Sequence, residues 1–232
     1  MIGGVQIEIC AGSIEDVITA EAFPEVDRIE FNSALELGGL TPGPASFLRA
    51  RALSSRKILC MCRPRPAGFC YSSEEKTVLF HEAQFFLQNG ADGIVFGCLN
   101  SDHTIDRAFT EKTAALAHSY GKEAVFHKAF DETKDMYAAA ETLIECGIDR
   151  ILTSGGAPDV MSGIDVITCL QNTYGQQIAI LPGGGVSEDN AAELLQKTGC
   201  TQLHMTAKTA LLDTEPFFAV SALRIRRILN SL

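Results

Sequence analysis

The chain repeats one short pattern almost from end to end: a helix-like stretch, a small or acidic residue, then a run of apolar and β-branched residues that stops abruptly at a turn. The pattern is visible in FPEVDRIEFN, NGADGIVFG, CGIDRILTSG and TGCTQLHMT, and VQIEIC, KILCMCR, EAVFH and QIAILPGGG add four more apolar runs. Eight strands are expected, centred near residues 8, 30, 60, 95, 126, 151, 180 and 203. Near-continuous apolar runs describe strands covered on both faces, as in parallel sheets flanked by helices. Helical patterns lie between them, several with a start signal: Ser13 before Asp16, Ser73 before Glu74 and Glu75, and Ser187 before Glu188 and Asp189. Strand spacings of roughly 22 to 35 residues are those of βα units. The expected class is therefore α/β, a (β/α)8 barrel of the TIM type, with residues 1–232 forming a single domain without a linker. A doubly wound open sheet is the competing architecture, because periodicity does not encode closure.

Several of these runs end in a charged or imidazole residue, which a strand buried on both faces tolerates only in an unusual environment. They are Glu30 in DRIEFN, Arg63 and Arg65 in CMCRPRP, His127 in VFHKAFD and His204 in TQLHMT. The mouth of a parallel barrel is such an environment, since its βα loops gather groups from many strands. Successive strand side chains point opposite ways. Glu8 therefore shares a face with Cys10, Glu30 with Arg28 and Asn32, Arg63 with Met61, and His204 with Gln202, while Cys60 and Cys62 point outward into the helix layer.

Composition removes several functions. A net charge of -10 and a pI near 5.0 disfavour a nucleic-acid surface, which needs a concentrated Lys/Arg face. The one basic cluster, Arg224, Arg226 and Arg227, falls in a terminal helix-like segment, where cations suit the helix dipole. Eight Cys scattered through strands and helices of a chain this long read as reduced thiols. No apolar stretch reaches the length of a membrane span, and the first basic residue is Arg28, too late for a secretory n-region. A cytoplasmic protein without nucleic-acid or membrane partners is expected.

Two glycine-rich turns follow late strands, LTSGG at 152–156 and LPGGG at 181–185. Backbone amides there, with a helix start at Ser187, form a candidate anion cradle using Ser154, Gly155, Gly183 and Gly184; tight βα turns are the plainer reading. Arg63 and Arg65 alternate with prolines in a stiff segment that suits carboxylate or phosphate, or they pair internally with Glu8 and Glu30. His127 is a candidate acid/base assisted by Glu8 and Glu30, and His204 is a candidate for the same chemistry or for substrate contact. Asp131 orients Lys128 or Arg65, or caps the next helix. For a metal, Cys10 is the thiol best placed; thiolate and thioether suit monovalent copper, whereas His with Glu suits zinc or another divalent ion. His81, His103 and His118 read as surface residues.

The ordered segments IEIC at 7–10, DRIEF and LGGLTP within 27–42, RPRPAGFCYS at 63–72, FHKAFD at 126–131, LTSG at 152–155, PGGGV at 182–186 and the His204 stretch resemble the CutC family, called copper homeostasis proteins. The resemblance implies a (β/α)8 barrel, a cytosolic home, homodimers or homotetramers, and copper as the metal. Members often carry Cys where this chain has Asn32, Gly-Gly-Asp in place of Pro66-Ala67-Gly68, and Arg in place of Lys128. The missing Cys removes one soft ligand beside Cys10. Two expectations follow: a copper-handling protein, which needs soft ligands to converge, or an enzyme (lyase, isomerase or hydrolase) acting on a small anionic metabolite, phosphorylated or not, at the barrel mouth.

Overall fold

The computed structural model describes residues 3–232. Strands β1 (Gln6–Ala11), β2 (Arg28–Phe31), β3 (Lys57–Met61), β4 (Gly93–Phe96), β5 (Glu123–Phe126), β6 (Arg150–Thr153), β7 (Ala179–Pro182) and β8 (Gln202–Met205) form one all-parallel sheet. Its order is β7-β6-β5-β4-β3-β2-β1-β8, and a parallel bridge between Gly183 and His204 joins the two outer strands, so the sheet closes on itself. Closure excludes the doubly wound alternative and leaves the expected barrel.

The strands alternate with α1 (Ile14–Glu21), α2 (Pro44–Leu53), α3 (Ser73–Gln88), α4 (Arg107–Ser119), α5 (Met136–Glu145), α6 (Ile164–Tyr174), α7 (Ala191–Thr198) and finally α8 (Ala222–Ser231). Ser13 caps α1 as expected, accepting from the Asp16 amide at 3.1 Å. Two other starts differ. The cap of α3 is Ser72, which forms a reciprocal capping box with Glu75. Helix α7 begins after Asn190; Ser187 instead opens the preceding turn, where its hydroxyl accepts from Asp189. Nor does Asp131 cap α5, whose first turn is held by Asp135.

Leu59, Met61, Val95 and Val125 plug the lumen as an apolar cluster separate from the main core between sheet and helices. Cys60, Cys62 and Cys98 belong to that outer core, fully buried, as strand alternation requires. Below the mouth the lumen is polar, and Arg28 is paired there on all three guanidinium nitrogens. Arg28 on β2 donates to Glu8 at 2.7 Å, and to Gln6 and Gln202 at 2.8 Å each. A buried cation is tolerable with each of its nitrogens paired in this way.

Between β8 and α8 the chain makes an antiparallel hairpin, β9 (Lys208–Leu212) and β10 (Pro216–Val220), which the barrel pattern did not announce. Helix α8 then packs Ile225, Ile228 and Leu229 onto the barrel. Its arginines turn inward to local partners: Arg224 reaches Glu188 at 2.9 Å, and Arg226 lies over the Phe23 ring at 4.8 Å.

Candidate active site

The C-terminal ends of β1, β2 and β8 put Glu8, Cys10, Glu30 and His204 side by side in the lumen. The register aligns Cys10 with Glu30 and Glu8 with His204. His204 Nδ1 lies 2.7 Å from Glu8 Oε1, while the other Glu8 oxygen accepts from Arg28 at 2.7 Å. Glu30 Oε2 accepts from Asn32 Nδ2 at 2.8 Å and from the Cys10 thiol at 3.4 Å. From the opposite wall His127, just past β5, presents its ring. Gly97 permits this approach, because a Cβ there would stand 2.5 Å from His127 Cε1.

Four buried polar atoms in this region have no hydrogen-bond partner among the described residues: Glu30 Oε1, Asn32 Oδ1, Arg63 Nε and His127 Nε2. All four residues line one inner pocket of about 110 Å3, together with Cys10, Met61, Lys128 and His204. Buried polar groups are nearly always paired, so a concentration of unpaired ones marks a place built for something else to bind. The inner pocket adjoins an outer cavity of about 870 Å3, and the two share Cys10, Leu35, Gly38, Lys128 and His204 in their walls.

Burial alone pushes the Glu8 carboxyl up, but the Arg28 guanidinium and the His204 imidazole override it and hold Glu8 well below the usual carboxylate range. His204 moves the other way. Burial disfavours its imidazolium, yet Glu30 and Glu8 more than offset this and raise it above 6.5. Burial raises the Glu30 carboxyl; His204 opposes the rise and Glu8 adds to it. His127 is pushed down to about 3 by burial and by the Arg63 cation. Its Nδ1 accepts from the Ala129 amide at 3.1 Å, so the neutral ring carries its proton on Nε2 and offers a donor to the inner pocket. Burial and then Glu30 drive the Cys10 thiol far up.

Not every residue expected at the mouth arrives free to act. Arg63 is buried beside the inner pocket, but its guanidinium is bound to the carbonyls of Gly38, Gly39 and Ala67 at 3.0, 3.2 and 2.9 Å and stacks on Phe69. It holds the turn around 34–39, leaving Nε unpaired. Arg65 lines neither cavity; it pairs with Glu75, donates to backbone carbonyls and stacks on Tyr71. Neither arginine pairs with Glu8 or Glu30; Arg28 takes the Glu8 partnership. The carboxylate of Asp131 fills the turn after β6, bonded to the Thr153 hydroxyl, to Ser154 through its amide at 3.0 Å and its hydroxyl at 2.9 Å, and to the Gly156 amide at 3.0 Å. Gly155 donates to Thr153 at 2.8 Å. The Ser154 and Gly156 amides thus form an anion nest whose anion is Asp131, which also stands 3.6 Å from Lys128 Nζ, one of the two partners expected for it.

The other glycine turn faces the outer cavity. Gly183, Gly184 and Gly185 line it with Lys128, and the amides of Gly185 and Val186 donate to no acceptor among the described residues. Gly184 has φ 117, and a Cβ on it would sit 3.1 Å from Lys128 Nζ. Site residues not singled out from the sequence are Asn32, Lys128, Gly97 and Arg28. Arg28 was recognised only as a face-mate of Glu30, Asn32 as a face-mate and as the position where members carry Cys, and Lys128 as a partner for Asp131; nothing local marked Gly97.

One atom each from Cys10, Glu30 and His204 lies within 4.8 Å of the others, and all three residues are buried. Thiol, carboxylate and imidazole make a mixed donor set. It suits a borderline divalent ion such as zinc better than monovalent copper, which favours sulfur, and the remaining buried thiols of β3 face the helices.

Fold and site together define a TIM-type (β/α)8 barrel whose mouth carries an underpaired acid/base pocket. The chain belongs to the CutC family: the family's sequence model matches residues 5–209. A CutC family protein of Treponema denticola is 42% identical over 203 residues, covering 88% of this chain and 81% of the relative. One of Glaesserella parasuis is 39% identical over 204 residues, covering 88% and 83%. The crystal structure of a Streptococcus agalactiae CutC protein, named for copper homeostasis, superposes with a TM-score of 0.81 at 28% identity, over 87% of this chain and 98% of that one. The barrel of 3-hexulose-6-phosphate synthase from Salmonella typhimurium matches with a TM-score of 0.66 at 17% identity over 98% of both chains, a likeness of fold.

Proposed function

We propose that this CutC family member is an enzyme performing general acid/base chemistry on a small anionic metabolite at the barrel mouth. The observation that carries the reading is the convergence of Glu30 Oε1, Asn32 Oδ1, Arg63 Nε and His127 Nε2, all buried and unpaired, in one inner pocket. Such atoms cost stability unless a ligand completes them. Glu30, raised by burial, is the group that takes a proton from substrate onto Oε1. The neutral His127 donates from Nε2 to the oxygen on which negative charge develops. His204, braced by Glu8, keeps a positive charge beside Glu30, and Glu30 itself returns the proton from Oε1 to the substrate, which regenerates the carboxylate. Lys128 and the amides of Gly185 and Val186 meet the substrate's anionic group in the outer cavity. The family resemblance adds a cytoplasmic homo-oligomer, dimer or tetramer.

A second reading has its own observation, the Cys10, Glu30 and His204 triad. A divalent metal there would displace the Cys10 proton and use Glu30 Oε1, and the copper in the family's name belongs to this alternative.

One screen separates the two. Thermal shifts are measured with sugar phosphates and small carboxylates, with copper and zinc salts in parallel. An anionic ligand at about 100 times its dissociation constant adds roughly 2.7 kcal/mol. The expected outcome is stabilisation by an anionic metabolite that Cys10→Ser retains, with turnover abolished by Glu30→Gln. Stabilisation by metal alone, lost in Cys10→Ser, would replace the enzyme reading with the second.

A further inference from the structure

The inner pocket of about 110 Å3 holds a compact polar group, but the outer cavity of about 870 Å3 is large enough for a whole small-molecule ligand. Its walls are unequal. The glycine turn and Lys128 form one side, whereas Leu35, Val186, Met205, Phe217, Phe218 and Val220 contribute an apolar side. We infer, resting on the enzyme reading above, that the substrate is amphipathic: its polar, anionic part enters toward the inner pocket, and a flat apolar part lies along the β9–β10 hairpin, where Phe218 selects for it and Phe217 borders the same cavity from the ribbon's other face.

The hairpin is built as a fixed wall. A two-stranded ribbon is marginal by itself, so its position depends on anchors at the base. Asp16, buried in the first turn of α1, supplies the main one: Oδ1 accepts from the Val220 amide at 2.7 Å and Oδ2 from the Gly12 amide at 2.9 Å. One carboxylate thereby ties the end of β10 to the loop after β1, the strand that carries Glu8 and Cys10. The Ser221 amide adds a bond to the Ala207 carbonyl at 3.0 Å. Above these anchors Phe217 and Phe218 remain 48% and 63% exposed, a surface whose burial a ligand would gain.

The pairing places Lys208 opposite Val220 and Ala210 opposite Phe218, so Lys208, Phe218 and Val220 share one face of the ribbon, and Phe217, opposite Leu211, lies on the other. Lys208 Nζ lies 4.6 Å from the centroid of the Phe218 ring. A ring and a cation are thus offered together, which suits an aromatic or unsaturated group carrying negative charge.

Two probes test the wall and the anion site separately. Anilinonaphthalene sulfonate combines aromatic rings with an anionic group; inorganic phosphate has only the charge. Binding of the dye is followed by fluorescence in the full chain and in Phe217→Ala/Phe218→Ala, whose half-exposed positions leave the core intact, with circular dichroism as the folding control. Phosphate binding is followed by thermal shift. The expected result is a single dye site, weakened about tenfold or more in the double variant, with phosphate affinity unchanged within twofold. Equal dye binding by both proteins overturns the inference even if phosphate binds, and that leaves the enzyme reading standing. Hairpin-dependent dye binding with no phosphate binding supports the wall and counts against the anion site alone. If light scattering shows the parent self-associating and the double variant not, with dye affinity unchanged, the phenylalanines are a seam between copies and the inference is wrong.

Discussion

The two glycine-rich turns look alike in sequence, each following an apolar strand and preceding a helix, yet they do opposite things. In the turn after β6 the chain supplies its own anion: the Asp131 carboxylate takes the Ser154 and Gly156 amides and the Thr153 and Ser154 hydroxyls. Among the described residues no carboxylate bonds the amides of the turn after β7, which lines the outer cavity beside Lys128, itself 3.6 Å from Asp131. A cradle of amides is therefore a site only when nothing in the same chain has already filled it.

Alanine scanning of the glycines is the strongest way to break this contrast. Gly155 has φ 73, and a Cβ there would lie 2.4 Å from the Gly163 carbonyl oxygen. Backbone cannot move aside as a side chain can, so Gly155→Ala is expected to cost about 4 kcal/mol in urea denaturation, from steric overlap plus left-handed strain. Gly184→Ala meets the flexible end of Lys128 instead. It is expected to cost about 1–2 kcal/mol, mostly strain, and to weaken phosphate binding severalfold. Similar stability losses with no difference in phosphate affinity would erase the distinction.

Glu30 sharpens the same point at the inner pocket, where an unpaired group is retained at a cost. Its folded pKa is raised above 4.5, so its ionisation destabilises the fold increasingly as pH rises from 4.5 through the folded value. Glu30→Gln is expected to gain on the order of 1 kcal/mol at neutral pH, with the gain shrinking below pH 4.5, while activity is lost. A pH-independent loss of stability would show that Glu30 is a structural partner. His204 and Glu8 give the opposite signs: the raised His204 contributes fully below pH 6.5 and the lowered Glu8 fully above pH 4.5, so their joint support is complete between those values.

The smallest effect is expected from Arg65→Ala. Its partners are Glu75 and backbone carbonyls at a partly exposed site outside both cavities, so stability should fall by less than about 1 kcal/mol and phosphate affinity should not change. A tenfold loss of phosphate binding would return Arg65 to the anion site.

Much of the barrel was legible in the sequence because its periods are local. Alternation along single strands placed Glu8 with Cys10 and Glu30 with Asn32, and sent Cys60 and Cys62 outward, since the pleat fixes which way each side chain points. The helix starts erred by small shifts: Ser72 caps α3 in place of Ser73, and α7 begins after Asn190, while Ser187 opens the preceding turn. The hairpin was missed although KTALL and PFFAV are β-rich, because the expectation of a helix after the eighth strand masked them.

The sequence by itself determined the βα repeat, the strands that end in ionisable groups and the membership those segments imply. Tertiary structure alone decided which of those groups act on one another. Glu8 could have met Arg63 or Arg65 but meets Arg28 and His204; Asp131 could have met Lys128 or Arg65, and it meets Lys128 at 3.6 Å while its oxygens fill the turn at Ser154 and Gly156. Partner choice of this kind depends on distances of a few ångströms between strands far apart in the chain. Local pattern fixes the direction of a side chain, whereas barrel closure and register fix what stands opposite it.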